Sequence, residues 1–259
     1  MADRHLSGTT AVVTGASRGF GAAIAAALCR DGADVVGVAR DRAQLDAVSA
    51  RLGTPFTPIA ADAADPVVAG QLLSTYRPRT LVLCAGASPL SRPLQQQTWQ
   101  SFSRNWDVDV QQVFGWVRES LLLPLDPGSA VITFSSGAAV AGSPLSGGYA
   151  GAKATIRFIT AYAADESQRA GLGITFTSVL PQLTPATGLG AAAVAAYAER
   201  SGLDVPAFLA QRGPALTADQ VGEAVSALAA GPDGAAGAPA GLGGAAAYLL
   251  TAAGPSPLE

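Results

Sequence analysis

Tyr149 and Lys153 stand four residues apart in the run YAGAK, and Lys153 is the one lysine of a 259-residue chain whose other fifteen basic side chains are arginines. Positive charge in general is supplied by arginine, so the lysine has a task that a bulkier planar guanidinium does not fill. On a helix, residues i and i+4 share a face, with Cβ atoms about 5–6 Å apart. A phenol with a pKa of about 10 is a poor acid or base near neutrality, and an ammonium beside it favours the phenolate. The pair reads as an activated proton donor, which needs a reaction centre beside it to do catalysis.

A second chemistry-bearing run is TGASRGFG, Thr14 to Gly21, with Gly15, Gly19 and Gly21 spaced G-x-x-x-G-x-G. It lies between an apolar strand and an Ala-rich helix, where a phosphate meets unpaired helix N-terminal amides. The next strand ends in Ala39-Arg40, with no acidic residue to take the ribose hydroxyls of NAD. Arg40 and Arg18 offer two cations to a 2′-phosphate with no carboxylate to repel it, so NADP(H) is expected and NAD(H) comes second. His5 is the only histidine, which sets aside Ser-His-Asp and Cys-His hydrolases. Cys29 and Cys84 are isolated in apolar stretches without CxxC spacing; both are read as core residues, and no metal site is expected.

The elements that must position these residues alternate along the chain. Short apolar strands are expected at 9–14, 33–39, 56–60, 80–85, 129–136 and 173–180, with AAAYLL last. Helices fall between them, including a long one after Pro93 that carries Trp99, Trp106 and Trp116 to about Leu123. Strands apolar throughout and separated by helices predict an α/β fold, a Rossmann-like doubly wound parallel sheet of about seven strands with helices on both faces. Its ligand belongs at the carboxyl ends of the strands. Residues 1–259 are read as a single domain, with 231–244 a surface loop. Net charge is −3 and charged residues are 14%, so a nucleic-acid partner is not expected. The absence of a leader pattern or an 18-residue apolar run predicts a soluble, cytoplasmic protein with no membrane partner.

Together, TGASRGFG, LCAG at 83–86, Ser136 and YAGAK resemble the short-chain dehydrogenase/reductase family in its single-domain form, over nearly the whole chain and more weakly after Pro181. Ser136 precedes Tyr149 by thirteen residues, in the register of that family's catalytic serine. The resemblance implies that Tyr149 is the acid/base toward a substrate carbonyl or hydroxyl and that Ser136 hydrogen-bonds the same oxygen. Lys153 would lower the tyrosine pKa and hold the nicotinamide ribose. Ser135 points to the opposite face by strand alternation. Cofactor contacts are expected from Gly15, Ser17, Arg18, Gly19, Phe20, Gly21, Arg40, Asp62, Ala85, Gly86, Tyr149, Lys153, Pro181 and Thr184. Asp62 matches the family's adenine-contacting aspartate or is a helix N-cap, and Thr187 competes with Thr184 for the carboxamide.

Three positions depart from that family. LCAG replaces Asn-Asn-Ala-Gly and loses polar tethering, and Pro181-Gln182 replaces Pro-Gly. Asp109 stands where a catalytic asparagine is usual, with Asn105 the alternative one turn earlier; Asp109 could organise a water chain to Lys153 and raise its pKa. Residues 183–213 are expected to form an apolar lid, with Tyr197 and Phe208, over a small to medium, mostly apolar substrate. Arg92 is the one cation read as able to meet an anionic group. The expected function is an NADP(H)-dependent carbonyl reductase or alcohol dehydrogenase. A catalytically silent NADP-binding regulator is the alternative, and a dehydratase or isomerase the third reading. By resemblance the chain forms a homotetramer or dimer through the helices flanking the fifth strand, on which the tryptophans fit an interface or the core.

Overall fold

The computed structural model describes residues 5–231 and 245–258; the expected loop at 231–244 lies almost wholly outside them. Short β-branched runs form β1 (Thr10–Thr14), β2 (Asp34–Ala39), β3 (Phe56–Ala60), β4 (Thr80–Leu83), β5 (Ala130–Phe134), β6 (Thr175–Pro181) and β7 (Ala246–Thr251), all parallel. The expected seven become eight, because β8 (Gly254–Pro257) turns back antiparallel on β7. Its GPSP sequence has no apolar alternation to announce it, and proline is tolerated on an edge strand. The order β3-β2-β1-β4-β5-β6-β7-β8 reverses direction between β1 and β4. A crevice opens there at the strands' carboxyl ends.

Alternation along each strand feeds two cores. Val13 packs with Ile24, Leu28, Val221 and Val225 from α1 (Gly19–Arg30) and α10 (Ala218–Ala229). Val12 packs on the other face with Leu73 of α3 (Pro66–Tyr76), Trp116 of α5 (Gln111–Leu122) and Ile156 of α7 (Gly147–Arg169). Helix α2 (Arg42–Leu52) joins β2 to β3, and α6 (Ala138–Ala141) follows β5. The long helix expected after Pro93 is interrupted: α4 (Trp99–Asn105) runs into a π-helical turn, Trp106–Val110, before α5. Among the tryptophans, Trp116 is fully buried and donates to the Ala63 carbonyl, whereas Trp99 and Trp106 are exposed. The segment expected as a lid, 183–213, holds α8 (Gly188–Arg200) and α9 (Val205–Ala210).

Candidate active site

The turn after β1 is shaped by backbone approach. At Gly15, φ is +71° and a Cβ would lie 2.8 Å from the Ala85 Cα, while at Gly21 it would lie 2.2 Å from the Gly15 carbonyl oxygen. The Gly15 and Ala16 amides donate to the Val38 carbonyl at 2.8 and 3.3 Å. Ser17 and Phe20 are half-buried in the turn, and Arg18 is exposed at the N-cap of α1. The Arg18 side chain caps nothing and the first turn holds no acidic residue, so the leading amides stay open to an anion. Gly19 has φ +54°, and Thr187 Cγ2 would sit 3.3 Å from a Cβ placed there.

Arg40 is exposed just past β2. The expectation that no carboxylate stands nearby is corrected by Asp41, the N-cap of α2, which accepts from the Gln44 amide at 3.0 Å and from its Nε2 at 2.7 Å. The Gln44 amide, with Arg18 a weaker contributor, holds the Asp41 carboxyl below its ordinary range. Asp62 is exposed after β3, its Oδ1 accepting from the Ala64 amide at 3.0 Å; the N-cap of α3 is Asp65.

The loop after β4 keeps a polar tether despite Leu83 and Cys84. Thr14 Oγ1 accepts from the Cys84 and Ala85 amides at 3.0 and 3.1 Å and donates to Gln112 Oε1 at 3.0 Å; Gln112 Nε2 donates to the Ala85 carbonyl at 2.7 Å. Both side chains are fully buried. Sequence reasoning missed them, although an amide on an otherwise apolar helix face three residues after Asp109 was a signal. A buried amide persists only when its hydrogen bonds are satisfied.

Beyond this tether, Lys153 joins three elements, its own α7, β5 and the π turn. Its Nζ donates to the Phe134 carbonyl at the end of β5 at 2.9 Å and pairs with Asp109 Oδ2 at 3.1 Å, and it lies 5.6 Å from the Tyr149 ring centroid. The expected shared face of Tyr149 and Lys153 is therefore present. Buried Ser135 Oγ donates to the Lys153 carbonyl at 2.7 Å, fastening α7 to β5, while half-buried Ser136 sits on the opposite side and accepts from the Ala138 amide at 3.2 Å. The π turn aims Asp109: its Oδ1 accepts from the Ala87 amide at 2.8 Å and from Asn105 Nδ2 at 3.3 Å, and Asn105 also donates to the Ala87 carbonyl at 2.7 Å. Asp109 meets Lys153 directly. Gly86 is held against the same carboxylate, where a Cβ would fall 2.9 Å from Oδ2. Burial alone depresses the Lys153 ammonium, but attraction to Asp109 and Tyr149 outweighs it and lifts its pKa above the ordinary lysine value. Burial pushes the Cys84 thiol beside this cluster up to about 12.

Pro181, buried, closes β6, and the Gln182 amide continues the pairing to the Leu250 carbonyl at 2.9 Å. The Thr184 hydroxyl is buried and donates to the Leu216 carbonyl at 2.5 Å, whereas Thr187 caps α8 beside the glycine turn. In the segment expected as a lid, Phe208 is buried against Val194 and Ala198 in a small separate core. Tyr197 shares a hydrogen bond with Ser143 in the segment between Ser136 and Tyr149. Arg92 is exposed, anchored through its amide to the Leu145 carbonyl at 2.8 Å. Among the described residues no group of histidine, cysteine or carboxylate side chains is arranged to hold a metal.

The chain is 34% identical over 165 residues to versicolorin reductase 1 of Aspergillus parasiticus, covering 60% of this chain and 63% of that one. It is 33% identical over 111 residues to L-xylulose reductase of Mesocricetus auratus, covering 43% of this chain and 45% of that one. The matches thus span less than two thirds of these relatives. In fold it resembles a 3-ketoacyl-(acyl-carrier-protein) reductase from Brucella melitensis solved with NADH, with a TM-score of 0.73 at 23% identity over 89% of this chain and 94% of that one. The family model described as short chain dehydrogenase matches residues 9–198. With that match spanning the glycine turn, the β4 loop, Ser136, Tyr149 and Lys153, the chain belongs to the short-chain dehydrogenase family.

Proposed function

We propose that the protein is an NADP(H)-dependent oxidoreductase interconverting a carbonyl and an alcohol on a small to medium organic substrate, working in the cytoplasm. The observation that carries this reading is the meeting of Tyr149, Asp109 and the Phe134 carbonyl at Lys153 Nζ, with Phe134 two residues before Ser136 and its ring near that of Phe20 in the glycine turn. The site fits a dinucleotide: the glycine turn leads into the N-terminus of α1, which has neither a capping side chain nor an acidic residue in its first turn and so suits a pyrophosphate. Exposed Arg18 and Arg40 suit a 2′-phosphate, with the Asp41 carboxylate already engaged by Gln44.

When bound, the nicotinamide supplies or takes the hydride. The protein's own residues handle the proton and orientation. Tyr149 gives the proton that turns the substrate's carbonyl oxygen into a hydroxyl, or takes it in the reverse direction, and Ser136 Oγ donates a hydrogen bond to that oxygen. Lys153 has three N–H donors; Phe134 and Asp109 occupy two, leaving one for the nicotinamide ribose. Thr187 at the glycine turn is better placed than Thr184, whose proton is committed to Leu216, to meet the cofactor. The lid's self-contained core suits a cover that moves as a unit.

The test is fluorescence titration with NADPH and NADH, followed by a panel of ketones and aldehydes with loss of reduced-cofactor absorbance recorded. NADPH should bind more tightly, and Tyr149→Phe should keep that binding while losing about 10²–10⁴-fold in turnover, the usual worth of a general acid. Unchanged turnover in Tyr149→Phe would overturn the mechanism, and binding of neither cofactor would overturn the reading of the turn. Binding without turnover across the panel would favour a silent regulator.

A further inference from the structure

We propose that Asp109 is a positioning residue that sets the charge Lys153 presents to Tyr149, and that it biases the site toward carbonyl reduction. This rests on the reading of Tyr149 as the proton-transferring group. An isolated ammonium beside a phenol draws it toward phenolate, the form that accepts a proton during alcohol oxidation. Here the ammonium is not isolated: Asp109 Oδ2 lies 3.1 Å from Nζ, both side chains are buried, and Oδ2 has no other hydrogen-bond partner among the described residues. Lysine and aspartate form a neutral pair, so Tyr149 faces a dipole where it would otherwise face a full cation. The pull of the ammonium on the phenol's proton is thereby partly cancelled, and reduction consumes that proton.

Asp109 is held in this role from two sides. The Ala87 amide and Asn105 Nδ2 fix Oδ1, which leaves Oδ2 turned to Lys153. The groups facing the pair are Tyr149 from its own helix, Cys84 and the Ala87 amide from the segment after β4, the Phe134 carbonyl from β5 and Asn105 from α4. Asn105 is uncharged, and the half-buried Cys84 thiol, pushed up to about 12, stays neutral until strongly alkaline conditions. Asp109 is thus the group whose charge opposes that of Lys153.

The proposal is tested without substrate by following tyrosinate absorbance near 295 nm against pH. Subtracting the Tyr149→Phe titration isolates Tyr149, and the same subtraction is made in an Asp109→Asn background. Removing the carboxylate charge should move the midpoint down by about one pH unit, the low end of what an opposite charge at 4–6 Å exerts. The high-pH limit of carbonyl reduction should fall with it, while the oxidation rate at pH 7 rises. Asp109→Ser, which places no amide against the ammonium, should move the midpoint the same way and serves if the Asn variant does not fold. A midpoint unmoved in the folded variant would overturn the proposal. A moved midpoint with full turnover in Tyr149→Phe would instead overturn the assignment of Tyr149.

Discussion

At Lys153 the residue type, the ion pair and the stability of the fold are one question. A buried charge persists when its partner and hydrogen bonds repay desolvation, and Lys153 has the Asp109 carboxylate and the Phe134 carbonyl. Replacing it by methionine leaves Asp109 buried without its cation, and urea unfolding at pH 7 should show a loss of about 3–5 kcal/mol. A loss under about 1 kcal/mol, the range of an exposed pair, would mean that the pair contributes little. The pH dependence follows from the raised pKa, since the folded protein holds this proton more tightly than the unfolded chain. The contribution is complete below the ordinary lysine value of 10.5 and is lost as pH rises through the higher folded value. The Tyr149 and Lys153 pairing was legible because helical spacing is local. The direct contact with Asp109 was not, because it depends on the extra residue of a π turn that no periodicity announces.

At the scale of elements, two helices are pressed together so that Tyr149 sits where it does. A Cβ on Gly148 would fall 1.9 Å from the Phe102 carbonyl oxygen of α4, whereas one on Gly115 of α5 would meet nothing within 4 Å. Gly148→Ala must push α7 away from α4, and thermal or chemical unfolding should register a loss of about 1–3 kcal/mol, the usual cost of overpacking. Activity should fall as well, because Tyr149 is the next residue. Gly115→Ala should instead stabilise by about 1 kcal/mol, the helix-propensity difference between the two residues. Equal behaviour of the two variants would show that the close approach is not limiting. Nothing local in the sequence separates the two glycines; only the packing of α7 on α4 distinguishes them. The Thr14 and Gln112 tether belongs to the same class, joining residues 98 positions apart.

For the whole molecule, the strand order brings the ends of β1, β4, β5 and β6 to one crevice, and both faces of the sheet are covered. Large apolar side chains nevertheless remain open: Phe114 on α5 is 56% exposed, and Tyr162 on α7 is 64% exposed and stacked on Phe158. Such surface on helices flanking β5 suits a subunit interface, and sedimentation velocity at micromolar concentration should give a dimer or tetramer. Phe114→Glu combined with Tyr162→Glu should shift the distribution to smaller species; a wild-type monomer would refute the assembly. Among the described residues no helix is long and apolar enough to cross a membrane.

From its sequence alone the chain was committed to the alternation of apolar strands and helices, to glycines at the turn after β1, and to a serine, tyrosine and lysine in fixed register. These are properties of local period and spacing, and each element forms close to where its pattern lies. Tertiary structure decided the antiparallel β8, the burial of Trp116 as against the exposure of Trp99 and Trp106, and the packing of Phe208 of α9 against Val194 and Ala198 of α8. It also decided that Asp109 meets Lys153 without an intervening water. Each of these depends on the relative placement of segments distant in sequence or on a turn of irregular pitch, and side-chain pattern along one element carries no information about either.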